Sequence, residues 1–334
     1  MNGSIHGLPD YLNYSPTLKF STLQALIPFI YILPTIIVML KILLDYSKAK
    51  TALKAATMDH NIFVLIMFYF LFNMLFFIGD YLHLNLPSSG LITSFLAKFQ
   101  PSRIFTFLLI YAYSANFGVI ICPFLVCLVR LAIFLFPRDN ERICRLIMRR
   151  FAIPFLFLAP LALTLWNIPI TVFCKQLGEP FSFGAVYLYE GDDFAVYNFI
   201  VHFSFSLVIF LCTFAMSFVM FYRLRKTVNL SDSTSERTKA LTRRAEMSLS
   251  LTMVSCFVPF VTNSICSLTF LLNRPNYYYV LWLRPIGNDY ETVMMPWVLF
   301  LTHPMFRPRK MSVTGSSSNV LKTTSTTTRT TSMI

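Results

Sequence analysis

The sequence predicts an all-α membrane protein, a bundle of seven transmembrane helices with the N-terminus outside and the C-terminus inside. Three observations carry that reading. Of the 334 residues, 56% are hydrophobic and only 13% are charged, too few charges to cover a soluble domain of this size. The apolar residues fall in long runs: residues 104–129 carry no charge at all, and a helix needs only roughly 20 residues to cross a hydrocarbon core. Lysine and arginine are distributed unevenly, with 21 in connections one, three and five plus the C-terminal tail, against 6 in the N-terminus and connections two, four and six. Since the more basic side faces the cytoplasm, this sets the orientation. In lipid every backbone polar group must be satisfied within the protein, which leaves helices or a closed barrel; long runs rather than short alternating segments exclude the barrel.

The first 20 residues are expected to be extracellular. They show no basic stretch followed by an apolar core, so no cleavable signal peptide is expected. Span one covers 21–44, with Pro28 and Pro34 as bends, and span two covers 60–80, ended by Asp80. Residues 81–97 are uncharged but broken by Pro87-Ser88-Ser89-Gly90, which reads as an interfacial loop. Span three is 103–136, and residues 138–150 form a strongly basic connection. Span four is 150–174, followed by an acidic loop at 175–193 with Glu179, Glu190, Asp192 and Asp193. Spans five, six and seven are 196–222, 246–273 and 285–306; the last is the least apolar, with Asp289 and Glu291 near its start. The tail, 307–334, is rich in Ser and Thr and is expected to be disordered and cytoplasmic, a substrate for receptor kinases. Sequons at Asn2 and Asn13 fall on the outer side and are expected to be glycosylated, whereas a third at Asn229 falls inside.

Seven spans, an outer N-terminus and a basic inner face are the outline of a G-protein-coupled receptor, but function has to be argued from particular residues. Arg130 ends the third run. A guanidinium there can simply snorkel to the interface. It also stands where rhodopsin-like receptors keep the arginine of an Asp-Arg-Tyr motif, although Val129 and Leu131 flank it here. With Arg223, Arg225, Arg243 and Arg244 it forms the expected surface for a heterotrimeric G protein. Cys256-Phe257-Val258-Pro259 resembles the Cys-Trp-x-Pro pattern of the same receptors, making Pro259 a candidate bend, as Pro296 is in span seven. Met295 and Leu299 depart from Asn-Pro-x-x-Tyr. Polar residues in the outer halves of the spans, namely Tyr111, Asn116, His202, Asn263, Asp289 and Glu291, are candidates to line a cavity for a small-molecule ligand, since such groups usually face the bundle interior. Helix-to-helix hydrogen bonding explains them equally well. No metal cluster, cofactor motif or paired cysteine spacing is evident, and the net charge of +13 belongs to membrane sidedness rather than to nucleic-acid binding.

Several strings together resemble the nematode serpentine receptors of class U. They are Ile5-His6-Gly7-Leu8-Pro9-Asp10-Tyr11, Leu86-Pro87-Ser88-Ser89-Gly90-Leu91 with Gln100-Pro101, Arg130-Leu131, and Cys174-Lys175-Gln176-Leu177-Gly178 with Phe183-Gly184-Ala185. Leu283-Arg284-Pro285-Ile286-Gly287-Asn288-Asp289 and Pro296-Trp297-Val298 followed by Leu301-Thr302-His303-Pro304-Met305-Phe306-Arg307 complete the set. The resemblance implies a seven-helix plasma-membrane chemoreceptor of sensory cilia or endings, sensing a small molecule and signalling through a heterotrimeric G protein. It also implies that 81–97 is a loop and that 285–306 is a span. The cysteine that rhodopsin-like receptors carry at the outer end of span three is missing, so Cys174 has no evident partner and the second outer loop must be held otherwise.

Two other classes compete. A transporter or channel would show internal repeats or mid-membrane carboxylates, and neither is seen in spans one to six. An enzyme would need a joined constellation, whereas His60, His202 and His303 lie on separate segments.

Overall fold

The computed structural model of the chain describes residues 3–51, 58–179, 181–228, 247, 257–272, 280 and 283–306. Asn2, Arg243, Arg244, Cys256, the Asn229 sequon and the tail from 307 lie outside the described residues.

Among the described residues, seven helices build the bundle: α1 (Pro28–Thr51), α2 (His60–Asp80), α3 (Arg103–Leu135), α4 (Ile153–Thr164), α5 (Asp192–Val228), α6 (Phe257–Leu272) and α7 (Leu283–Thr302). Their starts are written locally. Asp59 caps α2 by accepting from Asn61 N at 2.7 Å and Ile62 N at 3.3 Å, and Ser102 caps α3 by accepting from Ile104 N at 3.2 Å. Among the described residues, five helical stretches are long and apolar enough to cross a membrane, at Phe20–Lys48, His60–Ser88, Arg103–Leu135, Asn140–Asn167 and Phe194–Tyr222. The described part of α6 is shorter. α7 is long enough but carries Arg284, Asp289 and Glu291, and the bundle turns each of them toward a partner: Asp80, Tyr31 and Tyr69 respectively. Inward pairing is how ionisable groups are accommodated within a membrane helix.

α3 is central, packing on α2, α4 and α5, while α7 joins α1, α2 and α6. Gly79 permits the close α2 to α3 crossing, because a Cβ there would lie 2.9 Å from Ala112 Cα. The outer surface is apolar. On α1 the seam Ile32, Val38, Ile42 and Tyr46 is buried, while Ile30, Leu33 and Ile37 are more than 60% exposed. In water such a face would be costly; against acyl chains it is neutral.

Three features differ from the sequence reading. Helix α2 does not stop at Asp80 but continues through a π turn, Tyr81–Asn85, and a last turn, Leu86–Ser88. Pro87 is tolerated because it stands at the start of that turn, where a missing N–H matters least. The loop expected at 81–97 is therefore confined to the turn after Ser88, and Thr93–Leu96 is helical again. Span four ends earlier than 174: α4 closes at Thr164, a 3-10 turn follows at Leu165–Asn167, and Val172–Gln176 is strand β1. The acidic loop holds its partner, β2 (Ala185–Tyr189), antiparallel with Val172 opposite Tyr189 and Gln176 opposite Ala185. An apolar run alone does not distinguish the end of a helix from a buried strand.

This hairpin caps one end of the bundle without a disulfide, and all six cysteines among the described residues are free thiols. The N-terminal segment lies along β1, with Ile5 N donating to Cys174 O at 3.1 Å and Gln176 N to Gly3 O at 2.6 Å. Thr106 and Thr93 hydroxyls donate to Ile170 O and Phe183 O, each at 2.6 Å. The class U strings at 5–11, 86–91, 174–178 and 183–185 are thus the parts of one cap. Burial of Cys174 within it pushes the thiol up to about 12.

Candidate functional site: a cavity between four helices

Helices α3, α5, α6 and α7 line a cavity of about 300 Å³. Its walls are mostly aromatic, with Phe203, Phe210, Phe214 and Phe218 from α5 facing Phe257 and Phe260 from α6. Phe210 and Phe260 stack at 4.0 Å, closing the seam between the two helices. Polar groups gather toward the hairpin end. Asn116 Nδ2 and His202 Nε2 meet at 2.9 Å, joining α3 to α5, and the His202 ring packs 5.3 Å from Phe117. Asn263 Nδ2 donates to Asn288 Oδ1 at 3.2 Å, joining α6 to α7, and Glu291 accepts from Tyr69 at the cavity edge. Ser206 Oγ also lines the space, buried and with no hydrogen-bond partner among the described residues. A buried hydroxyl without a partner is uncommon, and here it faces a void.

The structure therefore brings four of the six candidate ligand residues together: Asn116, His202, Asn263 and Glu291. Tyr111 and Asp289 do not join them. The Tyr111 ring packs beside Gly79 of α2, and Asp289 is taken by Tyr31 of α1, so both look away from the cavity toward neighbouring helices. Tyr113 faces inward instead, lining a smaller adjoining pocket with His202, Asn263 and Arg284.

Arg130 lines the opposite end of the same cavity and is 6% exposed, which excludes simple snorkelling. It lies fourteen positions after Asn116, about 21 Å along a helix. One turn earlier, Cys127 Sγ approaches Ser217 Oγ of α5 at 3.5 Å. Arg223 and Arg225 fall in the final turns of α5, and Pro259 is the third residue of α6 as described. Pro296 lies inside α7, one residue before Trp297, whose Nε1 donates to Thr35 Oγ1 at 3.2 Å. Asn13 is exposed on the hairpin side, at the end of the short helix Pro9–Leu12.

One cluster escaped the sequence reading. Arg284 Nη2 lies 3.6 Å from Asp80 Oδ1, His83 Nε2 lies 3.9 Å from the same oxygen, and all three residues are buried. Asp80 had served only to end span two. The signal was an acid and a base of opposite sign, each embedded in an otherwise apolar run, which only mutual pairing makes tolerable.

A seven-helix bundle with a hairpin cap, an aromatic cavity and a buried arginine at its far end fits a receptor, and comparison with known sequences decides the point. The family model of the serpentine type 7TM GPCR chemoreceptor Sru matches residues 5–309. The chain belongs to the Sru family. Serpentine receptor class U-26 of Caenorhabditis elegans is 32% identical to it over 275 residues, 80% of this chain and 90% of that receptor. This Sru chain is accordingly a multi-pass membrane protein of a chemoreceptor family and not an enzyme. The family strings sit at its helix contacts: Gly287, for example, lies so close to α6 that an added Cβ would overlap the Thr262 side chain.

Proposed function

We propose that this Sru receptor binds a small, largely apolar molecule in the cavity between α3, α5, α6 and α7 and signals through a heterotrimeric G protein. The observation that carries the reading is the cavity's construction. An aromatic body ends in convergent polar groups, Asn116, His202, Asn263 and Glu291, with the Ser206 hydroxyl left for a further hydrogen bond. We take the hairpin side as extracellular, in line with the lysine and arginine distribution, and the receptor as residing in the plasma membrane of sensory endings, with Asn2 and Asn13 glycosylated.

A ligand shifts the bundle only by its difference in affinity for two packings. The walls of the cavity belong to α5 and α6 on one side and α3 on the other, so a molecule that wedges Phe210 from Phe260 alters how those helices meet around Arg130. The bends at Pro259 and Pro296 allow the Arg130 ends to move. The changed surface there, with Arg223, Arg225, Arg243 and Arg244, is offered to the G protein. Kinase phosphorylation of the Ser/Thr-rich tail then ends the response, and truncation after Lys310 slows its decay.

The test is calcium imaging of cells expressing the chain against a panel of volatile and secreted metabolites, repeated with Asn263→Leu and Ser206→Val. A responding compound should need about tenfold higher concentration in each variant, the value of one lost hydrogen bond. Equal potency in both variants places the ligand elsewhere, and uptake of the compound into vesicles of purified protein without G protein favours transport.

A further inference from the structure

The fourth membrane crossing begins well before α4. From Asn140 the chain runs as an unbroken helical rod through Asn140–Ile147, a π turn at Met148–Ala152 and α4. Its inward seam is regular: Cys144, Met148, Ala152, Leu156, Pro160 and Thr164 recur every four residues and are all buried. The single π turn fits that spacing, which is slightly longer than the α-helical repeat. The outward face divides sharply. Ile153, Phe157, Leu158 and Leu161 are exposed apolar side chains, and immediately before them Arg142, Arg145, Arg149 and Arg150 are exposed cations. With Arg138 from the preceding turn they ring a shallow basin of about 770 Å³.

The charges in this basin do not cancel. Five arginines share it with two carboxylates, Asp139 and Glu141, and Glu141 already accepts from Arg145 at 2.7 Å. Leu146 is half exposed among the arginines, so the basic surface carries an apolar side chain of its own. The partner that covers both parts of this face must offer hydrocarbon to Ile153 and Phe157 and negative oxygen to Arg149 and Arg150, one turn away. A membrane lipid has that layout.

We infer that this basin binds the headgroup of an anionic phospholipid, and specifically a polyphosphorylated inositol headgroup. A surplus of three positive charges within one basin matches several phosphates on one ring better than the single charge of a serine lipid. Planar guanidinium forks suit phosphate oxygens, which lysine would meet only as a point charge. The inference rests on the receptor reading only for sidedness, since the basin must face the cytoplasmic leaflet where such lipids reside.

The test uses the purified full chain in nanodiscs of phosphatidylcholine alone, with phosphatidylserine, or with phosphatidylinositol bisphosphate at matched total charge, and counts retained lipids by native mass spectrometry. Nanodiscs expose both faces, so the result does not depend on ligand or orientation. The native chain should retain the bisphosphate lipid preferentially. Arg142→Gln, Arg149→Gln and Arg150→Gln together should lower retention about a hundredfold, each arginine contributing about fivefold at the membrane surface. All three side chains are exposed, and an unchanged melting profile shows the variant is folded. Equal retention by the variant, or equal retention of serine and inositol lipids, overturns the assignment. So does a variant that keeps the lipid but no longer recruits G protein, because the face then belongs to the transducer.

Discussion

Arg284 at the head of α7 places Nη2 3.6 Å from Asp80 Oδ1 on α2, with both side chains buried and the guanidinium 6.0 Å from the Tyr113 ring of α3. Three helices therefore meet around one ion pair beside the cavity. Removing either member takes a buried ionic partner from the other, a loss that costs about 3–5 kcal/mol. Arg284→Leu and Asp80→Leu should each lower the melting temperature of the purified receptor, while the double variant should recover much of the loss because the two apolar side chains can pack together. Melting by intrinsic fluorescence in detergent checks this. A double variant no more stable than either single one removes the pairing as the cause.

The helical architecture and the position of the cap are unequally legible in the sequence, for physical reasons. Membrane helices announce themselves by length, because a hydrocarbon core sets a minimum run of apolar residues. The cap offers no such ruler. Val172 and Phe173 continue the apolar run of span four, and only pairing with Tyr189 and Leu188 of β2 makes them a strand. Pro87-Ser88-Ser89-Gly90 carries turn-forming residues, yet Pro87 sits where a helix accepts one and the turn waits for Gly90, whose φ of 84° suits glycine. At the site, polarity within apolar runs singled out Asn116, His202, Asn263 and Glu291, which line one cavity. Helical phase is what it lacked: Tyr111 and Tyr113 are equally polar and two residues apart, and only the packing of α2 against α3 decides which one faces inward.

Gly184 should be a sensitive point in the cap. A Cβ there would lie 2.5 Å from the carbonyl oxygen of Ser88, and backbone at that distance cannot swing aside as a side chain could. Gly184→Ala should therefore undock the hairpin from the end of α2, at about 1–3 kcal/mol. Faster hydrogen exchange across 172–189, with unchanged exchange in α3, is the expected signature. Unaltered exchange in the hairpin would mean the turn at Phe183 adjusts without loss.

Cys174 gives a pH-dependent readout of the same cap. Its thiol is pushed up to about 12 by burial, so at neutral pH it is protonated and poorly nucleophilic. Because the folded-state value lies above that of the free thiol, this group's contribution to stability is intact below about pH 8.5 and is lost as pH rises toward the folded value. Alkylation with N-ethylmaleimide at neutral pH should leave Cys174 unlabelled in the native receptor and label it after denaturation. Gly184→Ala should expose Cys174 to the reagent without denaturation, and peptide mass spectrometry reads the site. Prompt labelling of Cys174 in the native receptor would show that the N-terminal segment does not cover β1 in solution.

Arg130 is the residue on which transduction is expected to turn, and its burial decides how it must be tested. Truncation to alanine would remove charge and also enlarge the cavity, mixing two effects. Arg130→Met keeps an unbranched stem and removes the cation with less loss of volume than alanine. If the guanidinium organises the inner contacts of α3 and α5, the methionine variant should reach the cell surface at close to normal levels and still bind ligand at the hairpin end, yet evoke no calcium response. Should the charge merely stabilise the fold, surface expression and signalling would fall together. A variant that signals at full amplitude would show that these helix ends engage the G protein without Arg130, leaving its position at the foot of the cavity a matter of packing.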